Sequence, residues 1–193
     1  YAMNDKARIP TDIAFELAKV ESPPLSQIAA MTMKPSQNMY TEVLLWTLGE
    51  EVGRKMPQAN GNRSRTSSEL GIIAVRDFMK QAGAADDSFM QYDGSGLSRH
   101  NLVSPDSVIA IYDYMGKRSS FAKAWRDSLT IGGVDGTLRN RFKGTRGEGN
   151  VRGKTGTINQ VSALSGYLTT NGGEEVIFSA LVNGIPETRT RVA

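Results

Sequence analysis

Two stretches near the end of the chain, Val161–Thr169 and residues 176–182, alternate side chains with the two-residue period of a half-buried strand. Asn171-Gly172-Gly173 lies between them. A tight hairpin turn needs positive φ at its centre, which Asn and Gly accept at little cost, so the pair reads as a β-hairpin. Just upstream, Lys154-Thr155-Gly156-Thr157 opens a further segment, read as an edge strand. This end of the chain is therefore an antiparallel sheet, and the rest must pack against it.

The remainder reads mainly as helix. Residues 13–20 alternate loosely and are expected to form a strand that Ser22-Pro23-Pro24 ends. Ser22 is expected to cap a helix running to Met33, and Pro35 stops it, leaving Ser36-Gln37-Asn38 in a loop. From 39 to 52, Met39, Val43, Leu44, Leu48 and Val52 fall at helical spacing. Leu45 and Trp46 widen that stripe, so this helix is expected to be buried on most sides. Thr66 or Ser67 caps a helix over 69–81 that Gly83 terminates. Residues 89–92 read as a strand entering the turn Asp93-Gly94-Ser95-Gly96, and Ser104-Pro105-Asp106 starts a helix over 108–115. A short helix follows over 120–129. The Gly- and Arg-rich stretch 132–149 is expected to be an extended surface region. No repeat or linker divides the 193 residues, which read as a single domain.

The net charge is only +3, and the basic residues are interleaved with acids, which argues against a nucleic-acid partner. There is no cysteine, hence neither a disulfide framework nor thiolate chemistry. No apolar run approaches the roughly 20 residues of a membrane span. His100 is the sole histidine and sits in a turn beside Arg99 and Asn101; no His or acidic cluster has metal-ligand spacing, so no metal and no cofactor are expected. A chain opening at Tyr1 is expected to be a processed or trimmed product.

Ser36-Gln37-Asn38 and Lys154-Thr155-Gly156-Thr157 carry chemistry only as a pair. Alone, the first fits a helix cap ahead of Met39 and the second an ordinary turn before a strand. Acyl transfer by serine needs a nucleophile, a base, a proton relay and oxyanion donors. Ser36 can relay a proton, and Asn38 can donate to an amide carbonyl. Lys154 supplies a positive field for proton transfer and for a carboxylate. Thr155 and Thr157 offer hydroxyls, the Thr157 N–H is a candidate oxyanion donor, and Gly156 lets a ligand lie along the strand backbone. These roles require Lys154 Nζ and Ser36 Oγ to face one cleft, within about 3–6 Å.

In this order, the two segments match two of the three motifs of the penicillin-recognising serine acyl-transferases. Asp93-Gly94-Ser95-Gly96-Leu97-Ser98-Arg99, Gly133-Val134-Asp135-Gly136-Thr137-Leu138 and Ala163-Leu164-Ser165-Gly166-Tyr167 narrow the match. From Ser22 onward the chain resembles the D-Ala-D-Ala carboxypeptidase/endopeptidase family, the class C low-molecular-mass penicillin-binding proteins. That family often has Asp where this chain has Gln37, at the less constrained middle position of the motif.

The resemblance implies an α+β fold of the β-lactamase/transpeptidase type: an antiparallel sheet flanked by helices, with an all-helical subregion bearing Ser36 and Asn38. It implies Ser36, Asn38 and Lys154 as catalytic residues. Thr155, Gly156 and Thr157 would bind substrate, with Leu97 and Ser98 near them. It implies a serine peptidase of peptidoglycan stem peptides that works through an acyl-enzyme, is trapped by β-lactams, needs no cofactor and acts outside the cytoplasm, in the periplasm or cell envelope. The nucleophile belongs to a Ser-x-x-Lys motif upstream of Ser36, where this chain has none. Ser120-Phe121-Ala122-Lys123 is a literal match in the wrong place and reads as coincidence. The resemblance also implies an N-terminal portion and a last C-terminal helix that these residues lack, so the domain is expected to be partial, inactive alone and completed by the remainder of the same protein. Two rivals share the pattern: a β-lactamase or esterase of the same fold, against which the 93–98 signature argues, and a peptidoglycan-binding module without activity.

Overall fold

The computed structural model describes residues 18–57 and 65–186. Among these residues the α-helices are α1 (Leu25–Met33), α2 (Asn38–Glu51), α3 (Ser67–Ala82), α4 (Pro105–Asp113) and α5 (Ala122–Ser128). Strands β1 (Phe89–Met90) and β2 (Leu102–Val103) make a small antiparallel pair. Strands β3 (Thr130–Ile131), β4 (Arg152–Ile158), β5 (Val161–Thr169) and β6 (Glu175–Asn183) form a sheet in that order, every neighbour antiparallel.

The β5–β6 hairpin forms as its pattern requires. Thr169 pairs with Glu175, and Gly173 takes φ 83° in the connection. β3 pairs with Arg152 and Gly153, so among the described residues β4 is a sheet edge from Lys154 onward. Helices α4 and α5 pack on the sheet through Tyr112, Leu129 and Tyr167, joined by Met33, Val108, Trp125 and Ile177. The aromatic hydroxyls in this core are all satisfied. Tyr112 donates to the Ser165 carbonyl at 2.9 Å, Tyr167 donates to the Tyr112 carbonyl at 2.5 Å, and Trp125 Nε1 donates to Tyr167 Oη at 2.9 Å. A π-helical turn, Tyr114–Arg118, follows α4 and lets Gly116 meet Tyr167, where a Cβ would come within 2.4 Å of the hydroxyl.

Helices α2 and α3 form a second layer. They touch through glycine: a Cβ on Gly49 would lie 1.9 Å from the Ser67 carbonyl oxygen, and one on Gly71 would lie 2.2 Å from that of Leu45. Thr66 caps α3 in a reciprocal box with Glu69, and Gly83 closes it with φ 97°.

Several expectations change. Helix α1 begins at Leu25 with Pro24 as its N-cap, not Ser22. Pro23 lacks an N–H and Pro24 is held extended, so the first helical bonds run from Gln27 and Ile28 to the Pro24 carbonyl. The strand expected over 13–20 falls largely outside the described residues, and 18–20 carry no strand. Asn38 starts α2 instead of ending a loop. Helix α2 is not buried on most sides: Met39, Val43 and Trp46 are 74, 51 and 50% exposed, because α3 covers only the Leu45–Gly49 face. Residues 132–149 are not extended either. They fold into successive tight turns around a 3₁₀ turn, Gly136–Leu138, with Gly133, Gly136, Gly144, Gly149 and Phe142 all at positive φ.

Candidate active site

The end of α1 and the start of α2 make one wall of a cleft. Pro35 cannot continue α1, and the chain reverses at Ser36 with φ 61°. The Gln37 N–H closes the turn onto the Thr32 carbonyl at 2.9 Å. A left-handed backbone costs a non-glycine residue about 1–2 kcal/mol. At Ser36 that conformation places the hydroxyl opposite the sheet edge. Asn38 and Thr41 continue the wall, with the Thr41 hydroxyl donating to the Asn38 carbonyl at 2.7 Å. The Asn38 side-chain amide makes no hydrogen bond to the described residues.

Strand β4 is the opposite wall. Gly153 lets β5 approach closely, since a Cβ there would sit 2.4 Å from the Ser165 carbonyl oxygen. Lys154 follows in register with Ser165. Its Nζ donates to Ser36 Oγ at 2.7 Å and to the Thr155 carbonyl at 2.6 Å. Burial between the two walls pushes the Lys154 ammonium down to about 8. The Thr155 hydroxyl donates to Thr137 Oγ1 at 2.7 Å. Gly156 has open space around it: an added Cβ would meet only Ala163 Cβ at 3.5 Å, an ordinary contact. Neither its backbone angle nor internal packing demands glycine there. Thr157 and Ile158 complete the edge, and the cleft holds about 460 Å³.

The turn at 93–98 closes one end. Glu42 Oε1 on α2 accepts from the Gly94 and Ser95 N–H groups at 3.1 Å each. Asp93 accepts from the N–H groups of Gly96 and Ser98 at 2.7 Å and from Asn101 Nδ2 at 2.8 Å. Burial raises the Asp93 carboxyl, but these hydrogen bonds outweigh it and hold the group below the usual range. Ser95, Gly96 and Leu97 line the cleft. Ser98 does not: its hydroxyl accepts from the His100 N–H at 3.2 Å within the turn. His100 is exposed and tilts against Tyr92, ring centroids 5.2 Å apart.

The structure thus brings together Ser36, Asn38, Lys154, Thr155, Gly156, Thr157 and Leu97 and leaves Ser98 behind the turn. It adds Thr32, Met33, Thr41, Ser95 and above all Thr137. The 133–138 motif that contains Thr137 stood out in the sequence, but nothing there assigned it a place. The Ser120 to Lys123 match lies elsewhere, at the start of α5, where Lys123 pairs with Asp127 at 2.5 Å and lines a separate groove with Arg126, Tyr167 and Glu175. Among the described residues, no group of three or more His, Cys, Asp or Glu could hold a metal ion, and no helix is long and apolar enough to cross a membrane.

Two motifs far apart in sequence therefore meet at hydrogen-bonding distance across the β4 edge. A family profile covers nearly all of the chain, residues 6–192. The chain belongs to the D-Ala-D-Ala carboxypeptidase 3 (S13) family. Within its reach, a D-alanyl-D-alanine carboxypeptidase of an Actinomadura species is 37% identical over 175 residues, 87% of this chain and 30% of that protein. The crystal structure of penicillin binding protein 4 from Haemophilus influenzae superposes with a TM-score of 0.73 at 30% identity. The match covers 84% of this chain and 34% of the other. A β-lactamase from Sphaerobacter thermophilus, 19% identical with a TM-score of 0.58 over 86% of this chain and 57% of its own, shares the fold. The α+β architecture expected for such a chain is the one observed. The chain spans about a third of the length of the carboxypeptidases it matches.

Proposed function

We propose that the protein bearing this chain is a serine-type D-Ala-D-Ala carboxypeptidase/endopeptidase that acts on peptidoglycan stem peptides through an acyl-enzyme. The observation that carries the reading is the Lys154 Nζ to Ser36 Oγ hydrogen bond of 2.7 Å inside a cleft that also gathers Asn38, Thr155 and Thr157. Lys154 and Ser36 form a proton path toward a leaving amine, and Asn38 meets a substrate amide carbonyl. Substrate lies against the β4 edge as an added strand, which explains a glycine at 156 that the interior does not require. Thr155 and Thr157 receive the terminal carboxylate, the Thr157 N–H serves the oxyanion, and Leu97 borders the substrate.

The acylated serine belongs to a Ser-x-x-Lys segment outside these 193 residues, so the catalytic unit is one transpeptidase-like domain of which this chain is part. The chemistry calls on no metal or cofactor. The substrate lies in the cell wall, so the protein works outside the cytoplasmic membrane. A β-lactam presents a carboxylate and a reactive amide to the same cleft and traps the same serine.

The test is labelling of the intact protein with a fluorescent penicillin, peptide mapping of the label, and an assay of D-alanine release from acyl-D-alanyl-D-alanine. A label on a serine followed three residues later by lysine, together with D-alanine release, supports the reading. Peptidoglycan binding without label or release makes the protein an inactive binding module. Rapid turnover of the penicillin without D-alanine release makes it a β-lactamase.

A further inference from the structure

The 133–138 segment touches both walls of the cleft. Asp135 Oδ1 accepts from the Ile131 N–H at 2.7 Å, and Asp135 Oδ2 pairs with Lys34 Nζ, which also donates to the Leu129 carbonyl at 3.0 Å. Gly136 takes φ 51° and presses against its neighbours; a Cβ there would stand 2.4 Å from Thr130 Cγ2 and 2.6 Å from the Lys34 carbonyl oxygen. The Thr137 N–H then donates to that same Lys34 carbonyl at 3.1 Å. Lys34 lies two residues before Ser36. The segment therefore ties the Ser36 wall to the strand that leads into the sheet, and it delivers Thr137 Oγ1 to Thr155.

We propose that Thr137 is a positioning residue that fixes the Thr155 hydroxyl for a substrate carboxylate, held in place by Lys34, Asp135 and Gly136. This rests on the carboxypeptidase reading above. A hydroxyl carries one proton, and in the structure Thr155 gives its proton to Thr137. When a carboxylate arrives, Thr155 turns its O–H toward it. Thr155 Oγ1 is then an acceptor, and Thr137 Oγ1, 2.7 Å away, becomes the donor to it. No covalent bond changes. The two hydroxyls form a chain ending on the carboxylate, and each hydrogen bond polarises the next. Without a bound acid the Thr155 O–H is already engaged by Thr137, so the pair holds the Thr155 side chain in place before a carboxylate arrives.

Two ligand pairs test this on the intact protein: acyl-D-alanyl-D-alanine with its C-terminal amide for turnover, and the non-cleavable ketomethylene isosteres of both for equilibrium binding. The Thr137→Val variant removes the hydroxyl at nearly constant volume, and Thr137→Ser keeps it. The preference for acid over amide should fall about three- to tenfold in Thr137→Val, as for loss of one neutral hydrogen bond behind the Thr155 contact, and return in Thr137→Ser. The change should appear in KM and in isostere affinity, with the amide forms unaffected. Equal losses for acid and amide would make Thr137 merely structural, and an unchanged preference in Thr137→Val would overturn the proposal. Wild type that binds the acid isostere selectively but releases no D-alanine would sink the carboxypeptidase reading and leave the Thr137 test intact. Wild type without preference for the acid isostere would sink the Thr137 proposal itself.

Discussion

Ser36 Oγ accepts its hydrogen bond from Lys154 Nζ, across 118 residues of sequence, and so keeps its own proton available to the cleft. The direction matters, because a relay serine must give a proton to the leaving group and recover one from behind. In the proposed relay, Lys154 is placed to be that source.

The first prediction follows from the lysine's charge. Burial lowers Lys154 to about 8, so its protonated form is present below that pH and is lost above it. If the cation is the working form, kcat/KM for acyl-D-alanyl-D-alanine falls as pH rises through about 8, well below the range of an unperturbed lysine. Lys154→Arg stays protonated at all these pH values, so whatever activity it retains should show no such limb. A profile that rises through pH 8 in wild type would mean that the neutral amine, a base, is the working form.

Ser36 separates chemistry from strain. Ser36→Ala should lower the acylation rate about 10²-fold while stability stays near wild type. Ser36→Gly should lose the same activity yet gain about 1 kcal/mol in denaturant unfolding, because φ 61° is no burden to glycine. Stopped-flow penicillin acylation and urea melts check both halves.

Gly136→Ala should cost about 1–3 kcal/mol, combining a strained φ with a Cβ forced against the Lys34 carbonyl. Because that carbonyl leads directly to Ser36, acylation should fall as well, even at temperatures where the variant remains fully folded. Circular dichroism melts beside labelling rates measured well below the midpoint would distinguish the two effects.

Thr66→Ala provides the contrast. It dismantles the box in which the Thr66 hydroxyl accepts from the Glu69 N–H at 3.2 Å and the Glu69 carboxylate accepts from the Thr66 N–H at 2.9 Å. Stability should drop by about 1 kcal/mol with acylation unchanged, since α3 lines no part of the cleft and packs behind it on α2 and α4. A matched loss of acylation in folded protein would show that the α2–α3 layer sets cleft geometry more directly than its packing suggests.

The parts of this fold that depend on local chemistry were legible in the sequence. The β5–β6 hairpin follows from its period and Asn171-Gly172-Gly173, and α3 from Thr66, Glu69 and Gly83. The two halves of the cleft were legible for a different reason: their residue types make sense only as a pair. What escaped depends on distant partners. Thr130–Ile131 and Leu102–Val103 are too short for any period to register, and each exists only because another segment lies alongside. Thr137 reaches Thr155 because Gly136 bends against a carbonyl about a hundred residues earlier in the chain, which no local pattern encodes. Periodicity set the apolar stripe of α2 on Met39, Val43, Leu44, Leu48 and Val52, whereas α3 covers the Leu45–Gly49 face and leaves Met39, Val43 and Val52 exposed.

If a β-lactam lies along the β4 edge, as proposed, the edge left without a neighbour among the described residues also bears on how resistance would arise. A ligand that pairs with residues 154–158 reads main-chain groups, and these no substitution can delete. The route left open is addition, and Gly156 is where it is cheapest. A methyl there makes only an ordinary contact with Ala163, so the burden of a larger residue falls on the incoming molecule and hardly on the fold. Selection under such an inhibitor would therefore find at Gly156 a change that blocks binding without the stability loss that core substitutions carry, and its limit would be set by how far the natural substrate needs the same strip of backbone.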